Sequence, residues 1–259
     1  MIKRFFTQGY LYHKGRAAAF RAEEFVLMQI GYPLITLIFY CLIASFSFKT
    51  SDLSDWVIGN AFLLCTNACV FGIGRVFTME RYTGRLRSII ASPCSKTGLI
   101  LSSGIFPALF AICSSVFGFA VGAFIFGVDF SNVNLFLAAL AILVSMITAT
   151  CFGLFISSFG LMTDSMHLVL NVVSYILMIF TGAEFPVARL PYPGRVISVL
   201  MPLTKGIEAM KELFSGNNER FAVLLAAEFL TGVIYALLVM VVFKFAEKVA
   251  VKKGLFDMF

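Results

Sequence analysis

The residues that could carry out catalysis are few and far apart in this sequence. Among 259 residues there are two histidines, no nucleophile beside a base and no cluster of carboxylates that could share acid and base roles. Cys65 and Cys69 fall on one helix face at i, i+4, but no His, Asp or Glu stands nearby to complete a metal site. No G-x-x-x-x-G-K-[ST] pattern of a phosphate-binding loop occurs. The sequence does not predict an enzyme, although a lipid-modifying membrane enzyme stays open as an alternative.

Polar side chains within apolar segments are the other candidate functional residues. A polar group buried in a membrane is costly, so its presence there is often explained by a function. Asn60 and Asn67 lie in one such segment and Asn171 in another. Hydrogen bonds between helices would explain them, and lining a translocation path is the alternative. Glu228 lies in the last apolar segment, and a helix start near Arg220 predicts a partly hydrated carboxylate near the outer interface. The hypothetical substrate path, which adds aromatic residues, consists of Phe39, Phe46, Asn60, Asn67, Asn171 and Phe180.

Composition indicates that membrane-spanning helices must position these residues. Hydrophobic residues make up 60 % of the chain and charged residues 13 %, against roughly 25 % charged in soluble domains. The net charge of +6 does not predict nucleic-acid binding, because no basic run with interleaved aromatics stands apart from the apolar segments. We therefore expect an all-α, multi-pass integral protein of the cell membrane.

The spacing of charged residues predicts six spans within a transmembrane domain over residues 25–247, since about 20 apolar residues cross the hydrocarbon core. An amphipathic helix over residues 1–24 should lie in the cytoplasmic interface, and residues 248–259 should form a cytoplasmic tail. Asp129, Ser131 and Asn134 mark a turn between two spans. The predicted spans cover residues 26–47, 56–78, 99–127, 134–157, 164–183 and 221–244.

Lysine and arginine near the ends of the spans predict the orientation. With the N-terminus inside, 13 of these residues lie on the cytoplasmic side and 6 on the outer side, with Arg75 at the inner end of the second span. This distribution favours a topology in which both termini are cytoplasmic.

Two connections carry more sequence information than the others. Residues 80–93, within ERYTGRLRSIIASPCSK, have an apolar face and an arginine face at helical spacing before Pro93, which predicts a short cytoplasmic amphipathic helix. Such a helix either floats among lipid headgroups or docks into a groove on a soluble partner. Residues 184–215 are rich in proline, and their apolar core is too short to span, which predicts an outer re-entrant hairpin followed by an amphipathic helix over residues 204–214. Gly216 and Asn217 should end that helix.

Both connections resemble segments of ABC-2-type transporter permeases. ERYTGRLRSIIASP is similar to the coupling-helix segment of that family, and TGAEFPVARLPYPGRVISVLMPLTKGIEAMK, residues 181–211, is similar to its outer hairpin. Arg85 stands where the family often has threonine, and Arg87 where an acidic residue is common. The residues that the resemblance assigns to coupling are Glu80, Arg81, Gly84, Arg85, Leu86, Ile89 and Pro93. Those assigned to the outer hairpin are Gly182, Glu184, Phe185, Pro186, Pro191, Pro202 and Glu208.

The resemblance implies a permease without a cofactor of its own that pairs with a second permease subunit, more readily as a homodimer than as a heterodimer. A separate ABC ATPase would bind ATP and magnesium. The substrate would be an amphipathic or hydrophobic drug, antibiotic or peptide, because the amino end lacks the basic and glycine pattern of the family's polysaccharide exporters. Export of a lipid-linked polysaccharide is the competing expectation within the family, and a channel or scaffold is the competing expectation outside it.

Overall fold

A computed structural model describes residues 31–49, 52–82, 84, 96–131, 133–163 and 165–252, and the isolated positions 7, 9, 10, 14 and 27. The prediction of an all-α protein is confirmed over these residues, which contain helices and no strand. In chain order the α-helices are α1 (Tyr32–Phe48), α2 (Ser54–Leu63), α3 (Val76–Tyr82), α4 (Lys96–Ser103), α5 (Ile105–Phe126), α6 (Leu135–Ser158), α7 (Met166–Phe180), α8 (Tyr192–Leu200), α9 (Thr204–Phe214) and α10 (Asn218–Lys252).

Four helical stretches of the described chain are long and apolar enough to cross a membrane. They coincide with the second, third, fourth and sixth predicted spans. Their bounds are Ser54–Gly72, Ile100–Phe126, Leu135–Leu161 and Asn218–Ala246.

The helices at the first and fifth predicted spans are shorter. α1 has 17 residues and α7 has 15, so α7 is about 23 Å long, against a hydrocarbon core of about 30 Å. α7 ends at Phe180, and Gly182 then adopts a φ of 79°. Both helices are apolar and lie where spans are predicted.

The second predicted span, 56–78, is not a uniform α-helix. α2 ends at Leu63, a π-helical turn covers Asn67–Gly72, and α3 begins at Val76. Gly153 of α6 meets this region so closely that a Cβ at that position would overlap the backbone of Cys69. π-helical turns within α-helices are frequent at functional sites, and this turn contains Asn67.

Small residues allow the central helices to approach one another. Gly118 and Gly122 of α5 face α2, where an added Cβ would meet Leu64 and Ala61 at position 118 and Val57 at position 122. The G-x-x-x-G spacing of these two residues thus permits close packing of α5 on α2. In the same way, a Cβ at Gly232 of α10 would lie 2.6 Å from Oγ1 of Thr148 in α6.

The turn between α5 and α6 forms where it is predicted. Asp129 Oδ1 accepts a hydrogen bond from the backbone N–H of Ser131 at 2.8 Å. Asn134 then caps α6, because its Oδ1 accepts from the N–H of Phe136 at 3.0 Å and of Leu137 at 3.4 Å. Asn134 thereby satisfies N–H groups that have no partner within the helix.

The connection between α7 and α10 contains the predicted amphipathic helix. It contains a 3₁₀ turn at Val187–Arg189, then α8 and α9, and the bounds of α9 equal the predicted 204–214. Gly216, with a φ of 80°, ends α9. We call residues 184–215 the hairpin.

Two predicted elements fall largely outside the described residues. The amphipathic helix over residues 1–24 is described only at positions 7, 9, 10 and 14, and the helix over residues 80–93 only at positions 80–82 and 84. α10 continues to Lys252, eight residues beyond the predicted end of the last span.

Candidate functional site

The hairpin contains a break between two short helices, and the polar contacts around this break make it the candidate functional site. α8 ends at Leu200 and α9 begins at Thr204, so Met201, Pro202 and Leu203 form the connection between the two helices. Leu203 is fully buried and has a φ of 70°. A left-handed conformation at a non-glycine residue costs of order 1–3 kcal/mol, so the surrounding contacts must hold it in place.

Glu228 of α10 binds the start of α9. Its Oε1 accepts a hydrogen bond from the backbone N–H of Leu203 at 2.8 Å, and its Oε2 accepts one from the N–H of Gly206 at 3.2 Å. An anion is favoured at a helix N-terminus, where unpaired N–H groups and the helix dipole both present positive charge. We call Glu228, Leu203 and Gly206 the carboxylate clamp.

Hydrogen-bond donors, one of them a cation, bind the carbonyl groups at the end of α8. Lys205 Nζ donates to the carbonyl of Val199 at 2.7 Å and to Oγ1 of Thr231 at 3.2 Å. The hydroxyl of Tyr235 donates to the carbonyl of Leu200 at 2.8 Å. A cation and a hydroxyl donor thus satisfy carbonyl oxygens that a helix C-terminus leaves free, and α10 holds both sides of the break.

The clamp is built into the packing of α6, α9 and α10. Thr148 of α6 donates its hydroxyl to the carbonyl of Glu228 at 3.2 Å. A Cβ at Gly206 would collide with the side chain of Ser145 in α6 and come within 3.6 Å of Cγ of Glu228. Only glycine at position 206 lets α9 approach α6 this closely.

A second set of contacts attaches the hairpin to α2. Lys211 Nζ donates to the carbonyl of Gly182 at 3.3 Å and lies 4.0 Å from Oδ2 of Asp55. A Cβ at Gly59 would lie 2.5 Å from both Cα and O of Ala183, so the turn before the hairpin packs directly on the α2 backbone. We call Asp55, Gly182, Glu184 and Lys211 the lysine anchor.

Burial shifts the two central charges of the lysine anchor toward their neutral forms. Burial raises the pKa of Glu184, while the Asn60 amide and the Lys211 ammonium oppose the rise. Burial likewise lowers the pKa of Lys211, and Asp55, Glu208 and Glu184 oppose that shift. Oε1 of Glu184 is buried and has no hydrogen-bond partner among the described residues. The carboxyl group of Glu184 is therefore less stable as an anion here than in water.

The expectation for Glu228 is wrong. Its side chain is 0 % exposed, not partly hydrated near an interface. A helix start near Arg220 suggested contact with water. The hairpin instead folds back over that face of α10, and the N–H groups of Leu203 and Gly206 take the place of water.

The predicted hairpin residues occupy distinct places around these contacts. Gly182 and Glu184 belong to the lysine anchor, while Phe185 is half exposed. Glu208 forms an ion pair with Arg220 at 3.0 Å, and Glu212 pairs with the same arginine at 2.8 Å. The three prolines among the predicted hairpin residues stand at the ends of helical segments. They are Pro186 before the 3₁₀ turn, Pro191 before α8 and Pro202 between α8 and α9.

The predicted coupling residues are described only in part. Glu80 is buried near the end of α3, Arg81 lies in α3, and Gly84 is exposed with a φ of 69°. The remaining predicted coupling residues lie outside the described part of the chain. They are Arg85, Leu86, Ile89 and Pro93.

The six residues of the hypothetical substrate path differ widely in exposure. Asn60 is 3 % exposed, whereas Phe46 is 88 % exposed and Phe39 is also exposed. Asn60 donates to the carbonyl of Trp56 at 3.0 Å, and Asn171 donates to that of His167 at 2.9 Å.

The other two residues of that path contact different parts of the fold. Asn67 begins the π-helical turn. Phe180 ends α7 beside the hairpin, since a Cβ at Gly194 would lie 3.3 Å from its ring. A shared role for the six residues stays a prediction.

Sequence reasoning missed Lys211, whose contacts join the hairpin to α2. Its position could have indicated this role. Thr204, Ile207 and Lys211 follow one another at i, i+3, i+7 on α9, so Lys211 lies on the same helix face as two residues that are buried. A lysine on the apolar face of an amphipathic helix predicts a buried partner for its ammonium group.

Comparison with known proteins assigns this arrangement to a family. The family model described as ABC-2 type transporter matches residues 8–215, which is most of the chain and includes the hairpin. No curated protein matches the chain. Together with the apolar helices, the match identifies a multi-pass protein of the cell membrane whose family domain is a transmembrane component of ABC transporters and not itself catalytic. The chain belongs to the ABC-2 type transporter family.

Proposed function

We propose that this chain is the membrane-spanning permease subunit of an ATP-driven exporter. The match to the ABC-2 type transporter family over residues 8–215 carries this proposal. An ABC ATPase subunit would bind ATP and magnesium, and two copies of this chain would enclose the path. The substrate would be an amphipathic or hydrophobic drug, antibiotic or peptide that leaves the cytoplasm or the inner leaflet.

The proposed architecture has six spans with both termini in the cytoplasm. α1 and α7 would add two spans to the four long apolar helices. Lipid or a second copy would cover the exposed apolar side chains of α1. Thirteen lysine and arginine residues on the proposed inner side against six on the outer side support this orientation.

The hairpin would be a re-entrant element that closes the outer end of the path. Irregular backbone is tolerated at membrane depth only where its N–H and C=O groups are satisfied inside the protein. The break between α8 and α9 meets this requirement, because Glu228 binds the N–H groups on one side while Lys205 and Tyr235 bind the carbonyls on the other.

Movement of the hairpin would follow the helices that hold it. The carboxylate clamp ties α9 to α10, and the lysine anchor ties the turn before the hairpin and α9 to α2. α2 leads through the π-helical turn to α3 and to residues 80–93. ATP binding by the partner would draw the two copies of this segment together, and α2 and α10 would transmit the displacement to the hairpin.

Purification of the tagged full-length chain from its native membrane tests the proposal. We expect an ATPase with a phosphate-binding loop to copurify with the chain. The Leu86→Asp variant places a carboxylate on the apolar face of the proposed docking helix, so it should lose the ATPase while inserting normally. Glu208→Gln, a substitution in the hairpin, is the control that should retain it. Failure of any ATPase to copurify with the wild-type chain would contradict the proposal.

The competing functions give different results in the same preparation. Turnover of phospholipid by the purified chain without an ATPase would indicate a lipid-modifying enzyme. Nucleotide-independent conductance would indicate a channel. ATP-dependent uptake of a lipid-linked polysaccharide into inverted vesicles would support the assignment as a permease but would change the proposed substrate class.

A further inference from the structure

The carboxyl-terminal end of α10 carries a groove that the contacts of the hairpin do not involve. The groove has a volume of about 310 Å³ and is lined by Met240, Val241, Lys244, Phe245 and Lys248. All five side chains are exposed on this chain. The apolar members and the two lysines divide the groove into a hydrocarbon part and a charged part.

The position of the groove along α10 places these two parts at different depths. The apolar stretch that could cross a membrane ends at Ala246, so Lys244 and Lys248 lie on either side of its end. Met240 and Val241 lie about one helical turn, roughly 5 Å, further into the span. Lysines at the end of a span extend their ammonium groups toward the headgroups while their methylene stems stay on apolar surface.

The two lysines of the groove place like charges about one helical turn apart. Lys244 and Lys248 are i, i+4 neighbours, and like charges at this spacing destabilise a helix. Neither forms an ion pair within the part of the chain that the structure describes. An anion held between them would relieve their repulsion and accept hydrogen bonds from both.

We propose that this groove binds one anionic phospholipid. The phosphodiester of the headgroup lies between Lys244 and Lys248, and an acyl chain packs along Met240, Val241 and Phe245. A soluble partner cannot reach the apolar residues at their depth in the membrane. A symmetric contact with a second copy centred on this groove would bring the lysines of the two copies together. The proposal does not depend on the identity of the transported substrate.

Native mass spectrometry of the detergent-solubilised full-length chain, titrated with dioleoylphosphatidylglycerol, tests this site. We expect the Lys244→Gln/Lys248→Gln variant to weaken binding of this lipid by about 30-fold, because each lysine near a membrane surface contributes roughly fivefold to the affinity for anionic lipid. The Lys244→Arg/Lys248→Arg variant keeps both charges and should retain binding.

Two controls separate the site from general charge effects. Lys49→Gln/Arg189→Gln removes the same net charge from exposed positions elsewhere and should leave the lipid affinity within about twofold. Dioleoylphosphatidylcholine, which carries no net charge, should bind more weakly, and millimolar inorganic phosphate should not displace the bound phosphatidylglycerol.

Three results would overturn the proposal. Equal lipid affinity of the Lys244→Gln/Lys248→Gln variant and the wild-type chain would show that the groove is not the site. An equal loss in both glutamine double variants would show that binding follows only net charge. A change in the number of chains per complex without a change in lipid affinity would show that another copy covers the groove.

Discussion

Oε1 of Glu228, in the last helix, accepts a hydrogen bond from the backbone N–H of Leu203 at 2.8 Å, although the two residues are 25 positions apart in the chain. Leu203 holds a φ of 70° at the break of the hairpin. Glu228 therefore stabilises an unfavourable backbone conformation at Leu203 and also caps the N-terminus of α9.

Replacing Glu228 should release the hairpin from α10. Glu228→Leu leaves the buried N–H groups of Leu203 and Gly206 without partners, at a cost of about 1–3 kcal/mol each. Glu228→Gln keeps one acceptor oxygen and should lose about half as much. The thermal unfolding midpoint in detergent should fall in the order wild type, Glu228→Gln, Glu228→Leu.

The control for this series is Glu219→Gln, which changes an exposed carboxylate in the first turn of the same helix. Its unfolding midpoint should stay close to that of the wild type. An unchanged midpoint in Glu228→Leu would mean that the clamp contributes nothing to holding the hairpin.

Gly206→Ala should destabilise the chain through a collision that a second substitution relieves. The new Cβ would overlap the Ser145 side chain, and overpacking of this kind costs about 1–3 kcal/mol. Ser145→Gly removes the two Ser145 atoms that lie closest to the new Cβ. In a double-mutant cycle measured by thermal unfolding, Ser145→Gly should restore most of the stability that Gly206→Ala loses.

Gly59→Ala is the contrasting variant, because its Cβ would meet the backbone of Ala183. No side-chain truncation at position 183 can remove those atoms, so Ala183→Gly should not restore stability. Rescue of Gly59→Ala by Ala183→Gly would show that the turn does not pack on α2 through its backbone.

Glu184 should make stability fall with rising pH. Burial raises its pKa in the folded chain above the ordinary value, which is about 4.3. As the pH rises above 4.3 the unfolded chain loses this proton first, so the folded state holds more protons and stability decreases until the folded-state pKa is passed. Glu184→Gln cannot titrate, so its unfolding midpoint should fall less than that of the wild type between about pH 4 and 7.

Asp129→Asn is the control, because the pKa of Asp129 shifts in the opposite direction to that of Glu184. Hydrogen bonds from Ser131 lower the pKa of Asp129, so this carboxylate contributes stability that is lost as the pH falls. Below about pH 4, the Asp129→Asn variant should therefore lose less stability than the wild type as the pH falls. An identical slope in Glu184→Gln and the wild type would contradict the burial of the Glu184 carboxyl group.

Local sequence patterns predicted those elements whose causes are local. The amphipathic spacing from Thr204 to Phe214 and the stop at Gly216 predicted α9 with its observed bounds. The run of Asp129, Ser131 and Asn134 predicted the turn before α6, because Asp129 and Asn134 accept hydrogen bonds from backbone N–H groups within three residues.

The environment of Glu228 could not be predicted in the same way, because its partners come from another helix. Its distance from the start of α10 suggested water, whereas the fold supplies Leu203 and Gly206. The partners of Lys211 are likewise distant in sequence, at Asp55 and Gly182. A sequence shows that such charges need partners, but only the packing of the helices shows which ones they have.

Coupling of ATP turnover to residues 80–93 is the central claim, and the ATPase activity of the reconstituted complex in nanodiscs tests it most directly. We expect the copurified ATPase to hydrolyse ATP faster with the wild-type chain than alone. Gly84→Pro should abolish this stimulation, because Gly84 has a φ of 69° that proline cannot adopt. Gly127→Pro places proline at a comparable positive φ in the turn after α5 and should keep the stimulation if the complex assembles. If the membrane-inserted Gly84→Pro chain stimulated ATP hydrolysis as strongly as the wild type, the claim that residues 80–93 couple the chain to the ATPase would be contradicted.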